Sequence, residues 1–358
     1  MNLWAAGLGA LLTVIVLWDA FQTIVLSRRV SRRFRLTRVF YRTLWTPWRA
    51  AAQRLPPGNR REKLLTVFGP LSQILLIVLW AIGLVVSFAL LHWGLGSLMR
   101  TPDGASGFRI DLYMSGTTFF TLGLGDVTPQ TTVGRALTIC ESGMGFGFLA
   151  LVIGYLPLIS QAYSRREVSI SMLDARAGSP PTAAQLLRRH FEDGGAELRG
   201  LLRDWERWSA ELLESHISFP LLSYFRSQHD QQSWVAALTT VLDVSALIIA
   251  RIDEAPQATA RLTFAMARHA VADLCAIFRL EPPGALVDRL PPADEEQLAS
   301  VLAAAGLRLR TDDASIANFT ALRAKYEPHV QALSSFLLMP LPAWVPADGV
   351  HDGLHTMG

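Results

Sequence analysis

Long apolar runs broken by short polar stretches dominate the first half of the chain, whereas the second half alternates apolar and polar positions at helical spacing. Three runs are long enough to cross ~30 Å of hydrocarbon as helices. They are Leu3 to Leu26, Leu65 to Leu95 and Val133 to Tyr163. The first lacks a basic leading region and a small-residue cleavage site and carries Asp19, so it reads as a transmembrane helix and not as a secretory leader. Between the second and third runs, Leu112 to Phe120 predicts a helix too short to span, followed by "TLGLGDVTP". A short helix and a glycine turn between two spans predict a re-entrant loop. From Arg165 onward the pattern predicts successive amphipathic helices with little strand signal.

Composition agrees: 51% of the 358 residues are hydrophobic, which argues against a purely soluble protein. The net charge of +3 is small, but its distribution is uneven. Arginines crowd the segment between the first two spans, which by the positive-inside rule is cytoplasmic. Phe34, Phe40, Tyr41, Trp45 and Trp48 interleave with them, as in a helix resting on anionic lipid. This order places the N-terminus outside, the re-entrant loop on the outer side and the C-terminal half inside. Lipid explains the basic segment, so no nucleic-acid partner is expected.

Irregular backbone at membrane depth persists only where it lines water or is buried in protein. A row of carbonyls facing one axis finds a partner in a cation, and pointing successive carbonyls the same way needs positive φ at alternate residues. Gly123 and Gly125 are spaced for that, Thr121 adds a hydroxyl and Asp126 an outer charge. Read from Thr118, the segment Thr118-Phe119-Phe120-Thr121-Leu122-Gly123-Leu124-Gly125-Asp126 resembles the pore helix and selectivity filter of the potassium-channel superfamily, in the two-transmembrane pore-domain form found in bacteria. The resemblance covers roughly residues 65 to 163. It implies a homotetramer conducting K⁺, with ion ligands at Thr121, Leu122, Gly123 and Leu124, Gly125 completing the filter, Asp126 at the outer mouth, and Thr117 and Thr118 on the pore helix. Leu124 stands where most members have Tyr, so a bracing hydroxyl is missing there. Thr117 occupies a position where some bacterial members carry a Glu that pairs behind the filter.

Downstream, Gly143, Gly145, Gly147 and Gly154 precede Pro157 within the third span. Gly145 lies where family members bend to gate, and close helix packing through small residues is an equal reading. Asp19 calls for a partner in the membrane, and Gln22 and Thr23 share its helical face. A gating role and a satisfied interhelical contact are both open.

The expected organisation is an all-α membrane protein. It has an N-terminal transmembrane helix (1–27), a basic linker (28–63), a pore domain (64–163), a helical cytoplasmic domain (164–340) and a disordered tail (341–358). Residues 234 to 252 are apolar enough for a fourth span, but Thr239, Thr240 and Asp243 share one face and favour a buried bundle helix. No glycine-rich nucleotide motif, catalytic constellation or clustered histidines argue for an enzyme or cofactor. The helical domain is left to bind an unknown ligand or protein. The expected function is a potassium-selective channel in a bacterial inner membrane. The alternatives are a non-selective cation channel and a membrane-anchored interaction protein with a vestigial pore.

Overall fold

The computed structural model describes residues 2–26, 36–192, 196–229, 231–253 and 255–346. The chain divides into two compact units, Met1–Ser160 and Gln161–Gly358.

The first unit is built on three long apolar helices, α1 (Leu3–Ile24), α3 (Asn59–Leu95) and the leading part of α5 (Thr132–Ala177). All three are long and apolar enough to cross a membrane, which makes this a multi-pass membrane protein. Helix α1 lies along α3, with Thr13 donating to the Ser87 hydroxyl at 2.9 Å. Its opposite face leaves Trp4, Leu8, Leu11 and Val14 exposed, as a lipid-facing surface requires.

The basic segment supplies α2 (Leu36–Gln53). Its aromatic face turns toward protein: Tyr41 and Trp45 are buried, the Trp45 ring meets Phe68 at 4.8 Å, and Trp48 donates to the Leu64 carbonyl at 3.1 Å. Part of the aromatic pattern expected for lipid contact is therefore used against α3. Phe34 lies outside the described residues.

Between α3 and α5 the short helix α4 (Phe108–Phe119) packs on α3. Two-residue strands, β1 (Met99–Arg100) and β2 (Thr128–Pro129), pair antiparallel with Met99 opposite Pro129. This ladder closes the base of the α4 segment.

The second unit is all helical among the described residues: α6 (Ala183–Glu192), α7 (Leu198–Ser218), a 3₁₀ turn (Pro220–Tyr224), α8 (Trp234–Arg251), α9 (Gln257–Phe278), α10 (Pro292–Ala304), α11 (Asp313–Arg323) and α12 (Glu327–Leu337). Helix α8 is its core, capped where Ser233 accepts from the Ala236 amide at 3.0 Å and packed by α6, α9, α11 and α12. Although α8 is apolar enough to span, 94% of its apolar window is buried by protein. Neighbouring helices therefore occupy the surface that lipid would need. Residues 341–346, expected to belong to a disordered tail, are instead packed: Trp344 is 1% exposed and its carbonyl accepts from the Ala184 amide at 3.0 Å. An indole that finds a core site is not left in a tail. Residues 347–358 lie outside the described residues.

Candidate functional site

Helix α4 ends at Phe119 and delivers the chain into an exposed loop. The turn is fixed by one carbonyl, that of Thr117, which accepts from the amides of Leu122 at 2.8 Å and Gly123 at 3.4 Å. Thr118 adds a bond from the Thr121 amide at 3.0 Å. Thr117 and Thr118, buried in the last turn of α4, thus set where the loop begins.

Along the loop, φ is positive at Thr121 (58°), Gly123 (55°) and Gly125 (77°). Positive φ therefore recurs at every second residue. Glycine adopts this conformation without steric cost, but a side chain in the left-handed region costs about 1–2 kcal/mol. Thr121 carries that cost at the first position of the loop, a site where the glycine pattern alone gave no reason to expect it. Leu122 and Leu124, on the alternate positions, are 61% and 63% exposed. Their side chains lie open on the surface of the single chain.

Asp126 ends the loop and is held back toward α4. The Tyr113 hydroxyl donates to its Oδ2 at 2.8 Å, and its Oδ1 accepts from the Val127 amide at 3.0 Å. Leu124 has no hydroxyl to brace the loop, yet a tyrosine one helical turn from Thr117 reaches the end of the same loop. Sequence reasoning passed over Tyr113 because the pair spans a loop whose fold has to be known first.

Behind α4, three polar side chains meet that come from three elements: His92 of α3, Ser115 of α4 and Glu141 of α5, each 0% exposed. Ser115 Oγ makes a very short contact with Glu141 Oε1 and lies 2.7 Å from the Val85 carbonyl. His92 Nε2 is 3.8 Å from Glu141 Oε2. Thr117 offers no acid behind the loop, and Glu141 brings one from the following helix. Its signal was readable: an isolated acid in an apolar span is a site candidate by default.

Gly145 lies against the end of α4. A Cβ there would stand 2.0 Å from the Phe119 carbonyl oxygen, far inside contact distance. Close packing of α5 on α4 accounts for this glycine, whereas Gly143, Gly147 and Gly154 have open space around them in the single chain.

Asp19 is fully engaged. Its Oδ1 accepts from the Thr37 amide at 3.1 Å, and its Oδ2 from the Thr37 hydroxyl at 2.6 Å and the Trp80 indole at 3.0 Å. The carboxylate thus caps the start of α2, where helix dipole and free amides favour negative charge. Thr23, expected as a side-chain partner, donates to the Asp19 backbone carbonyl instead, at 2.8 Å.

With this geometry in place, residues 73–157 match the family model Ion_trans_2, described as "Ion channel". A Bacillus subtilis (strain 168) protein described as "Uncharacterized membrane protein YdjJ" is 29% identical over 186 residues, 51% of this chain and 53% of that protein. The chain therefore spans about half the length of the curated relative it matches. No solved structure matches it.

Proposed function

We propose that this chain is the subunit of a homotetrameric, potassium-selective ion channel through which K⁺ passes down its electrochemical gradient. The observation that carries this reading is the alternation of positive φ at Thr121, Gly123 and Gly125 on a short helix between two spans. Alternation lets successive carbonyls face one axis, where they replace the water shell of a dehydrated cation. The carbonyls of Thr121, Leu122, Gly123 and Leu124 and the Thr121 hydroxyl are the proposed ligands. Asp126 concentrates cations at the outer mouth.

Assembly is supported by what a single chain leaves open. Leu122, Leu124, Ile139, Phe146, Leu149 and Ile153 are all large, apolar and exposed. Only 17% of the apolar window of α5 is buried, against 39% for α3. Apolar surface beside a polar loop fits neighbouring copies around an axis better than lipid alone. The placement that goes with this reading is a bacterial inner membrane, with the N-terminus outside and the helical domain in the cytoplasm, as the arginine-rich segment before α3 favours.

The test is cation flux into liposomes carrying the purified protein, with K⁺ and Na⁺ gradients compared and Gly123→Ala as the control. Potassium flux well above sodium, lost in the variant, is the expected result. Equal flux of both ions overturns selectivity in favour of a non-selective cation channel. No flux of either ion, from protein shown to be folded and oriented, favours the anchored interaction protein.

A further inference from the structure

Ser115 stands between two acceptors, and its hydroxyl has one proton to give. The Val85 carbonyl at 2.7 Å only accepts. Glu141 Oε1, in closer contact still, is an acceptor if the carboxyl is ionised and a donor if it is protonated. With the proton on Glu141, a continuous chain forms: Glu141 donates to Ser115 and Ser115 donates to Val85. With the proton gone, Ser115 has to turn to the carboxylate and release Val85. The proton on Glu141 therefore decides whether α4 is tied to α3 at this point.

The other side of the site faces the surface. Glu141 Oε2 and His92 Nε2 each lack a hydrogen-bond partner although both are buried, and they face each other at 3.8 Å. The second ring nitrogen, His92 Nδ1, is 3.1 Å from Ser97 Oγ, and Ser97 is partly exposed just beyond the end of α3. An imidazole can take a proton on one nitrogen and give one from the other. Ser97, His92, Glu141 and Ser115 thus form a file of polar groups from the surface to the helix that carries the filter.

Resting on the ion-channel reading above, we propose that His92 and Glu141 form a proton-binding site reached through Ser97, and that its occupancy sets the Ser115–Val85 tie and so the rate of ion flow. The bound proton moves between Glu141 Oε, the two imidazole nitrogens and solvent, and no bond between heavy atoms changes. The titratable groups around it are His92 from α3, Glu141 from α5 and, one turn before Ser115 on α4, the buried Asp111. Helices α1 and α2 also pack on α3: Asp19 of α1 is occupied by Thr37 and Trp80, and α2 meets α3 at Leu64 and Phe68, toward the opposite end of that helix from His92.

Two measurements on the purified full-length protein in liposomes test this. The first is potassium flux between about pH 5 and about pH 9, a range wide enough for a buried carboxyl. Wild-type flux is expected to change severalfold across it. Glu141→Gln, which keeps a donor toward Ser115 at every pH, is expected to show the wild-type acid-side flux throughout. Ser115→Ala is expected to lose the pH dependence as well, and Ser97→Ala to slow the response to a pH jump while leaving its end points in place. The second measurement is infrared difference spectroscopy without an ion gradient, reading the carboxylic-acid carbonyl band. One component of that band is expected to weaken as pH rises, to be missing in Glu141→Gln and to persist in Ser115→Ala. A wild-type pH profile shared by Glu141→Gln overturns the proposal, as does a band that pH does not move. If the wild-type conducts no ions, the channel reading fails, and the infrared result still decides whether the site binds a proton.

Discussion

The two units hold their acids in different ways. In the membrane unit, Asp19 is held by a threonine and a tryptophan, Asp126 by a tyrosine and a backbone amide, and Glu141 by a serine. In the helical unit arginines join the partners. Arg289 grips both oxygens of the buried Asp243 at 3.0 and 2.6 Å, Arg323 pairs with Asp288 and Glu327, and Arg166 pairs with Glu167 at 2.9 Å. Burial works against the Arg289 charge, and the adjacent Asp243 more than offsets it, holding the guanidinium above its usual range. An arginine at membrane depth is costly, whereas hydroxyl and indole donors satisfy an acid without importing a second charge. The difference teaches that acids in the helical unit are answered by an opposite charge, while those in the membrane unit are answered by neutral donors.

The contrast breaks most visibly when each acid is replaced by its amide. Asp243→Asn leaves the buried Arg289 cation with only the more distant Glu327, at 3.7 Å, to oppose it, and is expected to cost about 3 kcal/mol in unfolding of the purified protein followed by circular dichroism. Glu141→Gln orphans no cation and is expected to cost less than about 1 kcal/mol in the same measurement. Similar losses for both would erase the distinction.

Acid sharpens it next. His216 is buried in the helical unit with Arg166 Nη1 at 3.4 Å. Burial, and then the arginine charge, lower its pKa from 6.5 to about 3. The unfolded chain therefore takes up a proton that the folded one refuses. This contribution to stability is complete above about pH 6.5 and is lost as pH falls toward about 3, at up to about 1.4 kcal/mol per pH unit. His216→Gln is expected to flatten that part of the stability profile, and a profile unchanged by the substitution would remove His216 from the account.

The smallest effect is expected at the outer loop. Tyr113→Phe deletes the donor to Asp126 where both groups meet solvent. The K⁺/Na⁺ permeability ratio is expected to fall by about threefold, with the unfolding profile unchanged. An unaltered ratio would show that the loop keeps its shape without this bond.

The spans and the loop were legible because each is local. Apolar length gives a span, and alternate glycines give a loop with positive φ at Gly123 and Gly125. Three features were not legible, all for one reason. The His92–Ser115–Glu141 site, the Tyr113–Asp126 brace and the Asp19–Thr37–Trp80 cap each join residues far apart in sequence, and no spacing rule brings them together. Thr121 is a fourth case, since a threonine gives no warning of left-handed backbone. The buried state of α8 was readable from Thr239, Thr240 and Asp243, although the arginine opposite Asp243 was not.

The two-residue ladder of Met99–Arg100 with Thr128–Pro129 has a bearing on how such a protein can change over generations. Its pairing, and the bond from the Gln130 amide to the Leu98 carbonyl at 2.8 Å, are made by backbone alone. Substitution of these residues leaves the donors and acceptors in place, provided Pro129 keeps its position without an amide proton to give. The short segment 101–107 lies between the two strands together with α4, and its last residue, Gly107, accepts from the amides of Ile110 at 2.9 Å and Asp111 at 3.3 Å. The ladder thus tolerates exchange of its own side chains, whereas the entry into α4 depends on Gly107, whose φ of 117° a side chain rarely adopts.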